Sequence, residues 1–158
     1  MSTNARATVR RSTRPPRAVA LLAHIALLAA SAAHAAEPAA TSGGARQQSQ
    51  VVVPATMKGA YESWGYAPAI VARDGTIYVS GVVAGLHGTG TYEERYAAGF
   101  ERALDTIGRV LAEAGASLDD VVDITSYHTD IARQLETAVK VRMKKMNPPH
   151  PAWTAVGT

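Results

Sequence analysis

Few side chains in this 158-residue chain are suited to covalent or metal chemistry, and their spacing excludes the usual mechanisms. There is no cysteine, so no thiol nucleophile, disulfide, zinc knuckle or iron–sulfur ligand set can be built. Five histidines are present: His24, His34, His87, His128 and His150. None stands at a metal-ligand spacing with another histidine or an acid, so no metal and no cofactor are expected. The stretch Gly85-Leu86-His87-Gly88-Thr89-Gly90 is neither a dinucleotide fingerprint nor a phosphate loop. No Gly-x-Ser-x-Gly elbow occurs, which removes the serine-hydrolase reading. His128 falls in a β-rich run and reads as structural.

Charge separates the chain into two parts. The total is 16 Lys+Arg against 13 Asp+Glu, formally +3. Five arginines (Arg6, Arg10, Arg11, Arg14, Arg17) precede residue 36, where there is no acid. The rest carries 11 basic residues against the same 13 acids, a formal charge of −2. Arg142, Lys144 and Lys145 end a helix and complement its dipole. With no basic-aromatic stripe, nucleic-acid binding is not expected.

The basic beginning reads as an export signal over residues 1–35. Its n-region ends at Arg17, Ala18 to Ala33 is an apolar run, and Ala33-His34-Ala35 has the small residues of a cleavage site. The run is shorter than the ~20 apolar residues that span a bilayer, so no stable membrane association is expected after cleavage. The mature protein would be periplasmic or secreted; initiation at Met57 would instead give a cytoplasmic one. Residues 36–50 are small and polar and read as a flexible linker. Residues 51–158 form the folded domain.

Within that domain the pattern predicts a short β run at Val51-Val52-Val53. Two strands, Pro68 to Arg73 and Thr76 to Val83, flank an Arg73-Asp74-Gly75 turn. Thr91-Tyr92-Glu93-Glu94 is a capping box. It opens a helix with Tyr96, Phe100, Ala103, Leu104, Ile107 and Leu111 on one face, stopped at Ala114-Gly115. Ser117 to Asp120 is a turn. Val121 to Thr129 is a strand with Val122, Ile124 and Ser126 on one side and Asp123, Thr125 and Tyr127 on the other. Asp130 caps a second helix whose apolar face is Ile131, Leu135, Ala138, Val139, the Arg142 stem, Met143 and Met146. Prolines at 148, 149 and 151 end it, and Ala152 to Gly157 begins another strand. The order describes an α+β sandwich: a mainly antiparallel sheet with two helices packed on one face. The other face needs a partner, and a second subunit is the expected one.

Several stretches together resemble the Rid family of reactive-intermediate (enamine/imine) deaminases, the YjgF-like proteins. They are Gly65-Tyr66-Ala67-Pro68, Tyr78-Val79-Ser80-Gly81, Phe100-Glu101-Arg102-Ala103-Leu104, Leu111 through Val122, and Pro149-His150-Pro151-Ala152. The resemblance implies a chorismate-mutase-like fold, a homotrimer and small-molecule pockets in intersubunit clefts. It implies hydrolysis of 2-imino or enamino acids to 2-oxo acids and ammonia without a cofactor. It also points to Tyr66, Ser80, Gly81 and Trp153 as substrate-binding positions and places His87 near the pocket rim. No residue is assigned a catalytic role.

Two departures bear on activity. Trp153 stands where the deaminase branch carries a carboxylate-binding arginine, and an indole offers one N–H and no charge. The glutamate-bearing last strand is missing, so the domain is expected to be incomplete at its C-terminus, with the sheet one strand short. The resemblance therefore leaves two functions open: an imine/enamine deaminase, or a non-catalytic Rid-fold homotrimer that binds a small molecule.

Overall fold

The computed structural model describes residues 3–10 and 44–158. The apolar run and cleavage site of the expected export signal lie outside these residues. Strands β1 (Thr3–Arg10), β2 (Gln50–Val52), β3 (Ala69–Val71), β4 (Thr76–Val79), β5 (Val82–Ala84), β6 (Val121–His128) and β7 (Ala152–Gly157) form one sheet. Its order is β2-β3-β4-β1-β6-β7, with β5 also paired to β1. Every pairing is antiparallel except β6 with β7, which is parallel. Helices α2 (Tyr92–Glu113) and α3 (Ile131–Lys145) accompany the short α1 (Lys58–Trp64). No helix among the described residues is long and apolar enough to cross a membrane.

The local signals act as their chemistry requires. The Arg73-Asp74-Gly75 turn closes with Ala72 N–H on Thr76 O at 2.8 Å, and Gly75 takes the left-handed φ of 84°. Thr91 Oγ1 accepts from Glu94 N, while Glu94 Oε2 accepts from Thr91 N at 2.8 Å, completing the capping box. The Thr91 backbone N–H and, second, its hydroxyl, which donates to Glu94 Oε2 at 3.0 Å, hold the Glu94 carboxyl below the usual carboxylate range. Tyr96, Phe100, Ala103, Leu104, Ile107 and Leu111 are all buried against the sheet, meeting Ile77, Val79 and Ile124. Gly115 supplies the left-handed stop with φ 75°.

Four features differ from the expectation. The first concerns β1: Thr3–Arg10, read from sequence as part of the leader, stands between β4 and β6 in the middle of the sheet. The second concerns α1, formed by residues whose sequence carried no clear apolar period.

The third is a register shift on β6. Thr8 pairs with Asp123 and Val9 with Val121, so Val122 is bulged out and 52% exposed instead of lying beside Ile124. The inward residues are Val121, Ile124, Ser126 and His128. The fourth is the buried stripe of α3, which consists of Gln134, Ala138, Arg142 and the following Met146. Leu135 and Met143 face outward; Gln134 takes an inward position that an apolar reading passes over, while Arg142 lies inward as the sequence places its stem.

Helix α2 approaches the end of β5 closely at Gly99. A Cβ built there would stand 2.6 Å from the Gly85 carbonyl oxygen, a backbone atom that cannot swing away. Arg102 Nη2 donates to the same oxygen at 2.9 Å and fixes it. Gly99→Ala is therefore expected to destabilise the fold by about 1–3 kcal/mol despite the better helix propensity of alanine. Denaturant unfolding measures this; an unchanged or raised midpoint would contradict the contact.

Candidate functional site: a tyrosine-lined cavity on the open sheet face

Strand alternation gives the sheet two chemically different faces. Ile77 and Val79 point into the core, so Tyr78 between them points away from it; Ser126 and His128 point inward, so Tyr127 points away. On that outer face lies a cavity of about 810 Å³. Its described lining includes Tyr61, Tyr66, Tyr78 and Tyr127, together with Ser80, Gly81 and Arg46.

The walls are set by local bonds. Gly65 ends α1 in the left-handed conformation, φ 67°, with its N–H on Tyr61 O at 3.1 Å, which turns the chain so that Tyr66 meets the sheet. Ser80 Oγ donates to Ala67 O at 2.6 Å, and Ser80 N–H donates to Pro68 O at 2.9 Å. Ser80 thus ties the end of β4 to the segment that carries Tyr66. Its proton is committed, so its oxygen can only accept from a ligand or water.

Arg46 comes from the stretch expected to be a linker. Residues 44–49 form hydrogen-bonded turns, with Gln47 N–H on Gly44 O at 2.8 Å and Ser49 Oγ donating to Ala45 O at 2.8 Å. Gln48 is held by Arg73 Nη1, and Gln50 already belongs to β2. This places the one charged side chain among the described lining residues at the cavity. Sequence reasoning passed over Arg46 because its neighbours are small, polar and without period.

The structure brings Tyr66, Ser80 and Gly81 together but not Trp153. Trp153 pairs with the inward Ile124 on the parallel β6–β7 ladder and packs on the helix-covered side. There its indole N–H donates to Ser126 Oγ at 2.9 Å. Ser126 Oγ lies 2.8 Å from His128 Nε2, and His128 Nδ1 lies 3.1 Å from Tyr96 Oη. An indole can only donate, so Ser126 accepts from it and is free to give its proton to Nε2. The direction of the bonds joining His128 to Ser126 and Tyr96 follows the histidine tautomer. His128 and Ser126 are both fully buried, so this serine–histidine pair is a structural tie between α2, β6 and β7. His87 is not among the cavity residues. Among the described residues no group of three or more His, Asp or Glu could hold a metal ion.

Over the Trp153 ring lies the Arg142 guanidinium, 4.9 Å from the centroid. Arg142 is buried, and its Nε and Nη1 have no hydrogen-bond partner among the described residues. The aromatic face is the compensation available to that cation.

The chain is an α+β domain with helices on one face of the sheet and a tyrosine-lined cavity on the other. The sequence signature described as "Endoribonuclease L-PSP" matches residues 58–158, and this chain belongs to that family, the RidA/YjgF family. A relative, the RutC family protein YjgH of Escherichia coli (strain K12), is 38% identical over 107 residues, 67% of this chain and 80% of its own. A solved structure titled "Structural Genomics, Protein YJGH" is 32% identical with a TM-score of 0.58, covering 70% of this chain and 84% of that one. Another, from Mycobacterium tuberculosis, is 28% identical with a TM-score of 0.49, covering 70% and 84%. The family and the solved structure with a TM-score of 0.58 give the chorismate-mutase-like fold.

Two outcomes follow from the buried network. Burial pushes the His128 pKa below its ordinary 6.5. The unfolded chain then binds more protons than the folded one below that value, so this contribution is complete above pH 6.5 and is lost as pH falls through the folded pKa. Unfolding free energy measured from pH 7.5 down to 5 should decrease, and His128→Asn should flatten that slope. A flat wild-type profile would contradict it. At the neighbouring position, Trp153→Phe should cost about 1 kcal/mol for the lost hydrogen bond. Trp153→Arg should cost about 3 kcal/mol, since it sets a second buried cation beside Arg142. Thermal unfolding compares the two; an arginine variant as stable as the phenylalanine variant would overturn this account.

Proposed function

We propose that the cavity binds a small, flat molecule bearing a carboxylate, and that the protein hydrolyses the imine or enamine of a 2-oxo acid. One observation carries the reading: Tyr66, Ser80 and Gly81, the positions singled out by the family resemblance, line one cavity together with Arg46. Guanidinium geometry suits a carboxylate, and Arg46 is a cation available where Trp153 supplies none. Tyrosine walls suit a planar C=N–carboxylate system. Hydrolysis adds water to the imine carbon and a proton to nitrogen; collapse of the carbinolamine expels ammonia and leaves the 2-oxo acid. Within this scheme Tyr66 and the accepting oxygen of Ser80 orient the water, and Gly81 permits close approach. The tyrosines left partly exposed on this face suit a homotrimer in which a neighbouring subunit covers the cavity.

A second reading is a binding protein without turnover, which would use the same tyrosines and Arg46 to hold its ligand. The family's description names an endoribonuclease, but one guanidinium in a tyrosine pocket does not supply the row of cations an RNA backbone requires.

Ammonia release from freshly generated 2-iminopropanoate tests the proposal. Activity is expected in the native chain, with Arg46→Ala lowering kcat/KM by about a hundredfold, or ~2.7 kcal/mol of transition-state stabilisation. Binding of a 2-oxo acid without ammonia release would select the second reading. Neither binding nor release would remove both.

A further inference from the structure

The cavity on the open sheet face is far larger than the simplest substrate of the proposed reaction needs. At about 810 Å³ it lies toward the top of the roughly 300–1,000 Å³ range of sites for drug-sized ligands. A three-carbon imino acid would leave most of it to water. Strand register gives the shape of its floor. Val51 stands opposite Ile70, and Ile70 opposite Tyr78, so one row crosses β2, β3 and β4 on a single face. All three line the cavity; Val51 is 42% exposed and Tyr78 47%. Two interstrand spacings make that row roughly 10 Å long, aliphatic at two positions and aromatic at the third.

The walls repeat this chemistry. Tyr61 comes from α1 and Tyr66 from just after it, and neither phenol has a hydrogen-bond partner among the described residues. Trp64 lies three residues beyond Tyr61 on the same helical face, and it adjoins Gly65 and Tyr66, which line the cavity. It is 80% exposed, more than any other large apolar side chain described, and it takes no part in the core. An indole left in water at the rim of an aromatic cavity is placed to close over another ring. The Arg46 guanidinium has no ion-pair partner among the described residues. One unpaired cation thus meets a long apolar floor and aromatic walls.

We infer that this site selects an aryl substituent: its substrate is the imine of an aryl 2-oxo acid, with the carboxylate on Arg46, the ring on the Val51–Ile70–Tyr78 row, and Trp64 closing the rim. The inference rests on the reading of this cavity as the imine site and adds the group carried by the reacting carbon. Aromatic rings gain from offset and edge-to-face contacts beyond the area they bury, a gain that a branched aliphatic chain does not share. A methyl group in place of the ring would leave the apolar row wet and Trp64 without a neighbour.

Isothermal titration calorimetry on the full chain with phenylpyruvate, 4-methyl-2-oxopentanoate and pyruvate tests this independently of turnover. Phenylpyruvate should bind at least about tenfold more tightly than either of the others. Trp64→Ala removes a side chain that the core does not use; it should weaken phenylpyruvate binding about fivefold and narrow its lead over pyruvate. Equal affinities, or 4-methyl-2-oxopentanoate in the lead, would overturn the aryl assignment even in an enzyme that releases ammonia from 2-iminopropanoate. An unchanged phenylpyruvate affinity in Trp64→Ala would overturn the part given to the rim indole. An aryl preference without ammonia release would support the selectivity and remove hydrolysis alone. Absence of binding by all three would overturn both.

Discussion

The alternation of side chains from Ile124 to His128 along β6 is the constraint on which the rest of this protein hangs. Ile124, Ser126 and His128 face the helices, and Thr125 and Tyr127 face the other way. From one eight-residue strand come the centre of the core, the polar tie to α2 and β7, and one wall of the cavity. The bulge at Val122 matters because it confines the register shift to one end of the β1–β6 pairing. The pairs from Asn4 to Thr8 keep continuous register with β6.

The helix-covered side is less uniformly apolar than its amphipathic helices suggest. Buried among Phe100, Leu104 and Met146 are Ser126, His128, Gln134 and Arg142. Each polar group is answered by its own arrangement. Gln134 Nε2 donates to the Tyr92 phenol at 2.6 Å, Ser126 and His128 satisfy one another, and Arg142 lies against an indole. Such groups fix one packing more strictly than interchangeable methyls do, because an unmatched partner in a low-dielectric interior is costly. Trp153 belongs to this interior layer. The residue standing in place of the family's arginine thus has a structural employment of its own, with Arg142 as its neighbour.

Much of the architecture was legible in sequence because it is local. The Thr91 capping box, the one-sided face of α2, the Asp74-Gly75 turn and the Ser117 turn each follow from residues within a few positions of one another. The parts that were not legible depend on distant partners. On α3, Gln134 turns inward because it reaches the partly buried Tyr92 phenol on α2, which no helical period encodes. Five arginines near the start dominate the reading of β1, although its alternation is plain once β4 and β6 are known to flank it. For the site, Tyr66, Ser80 and Gly81 were accessible through resemblance. Arg46 was hidden in a low-complexity stretch, and Trp153 was placed by a strand register that a single chain of letters does not display.

The hydrogen-bonding order of the sheet has a kinetic consequence. Strands β2 to β4 and strands β6 to β7 make two hydrogen-bonded groups that meet through β1, to which β5 also pairs. Residues 11 to 120 separate the end of β1 from the start of its longest-paired neighbour. Loop-closure entropy and high contact order make that pairing a late step, preceded by the local assembly of α2, β6 and α3. On the ribosome the order of synthesis is the reverse: the first strand to emerge waits for almost the whole chain before its site exists.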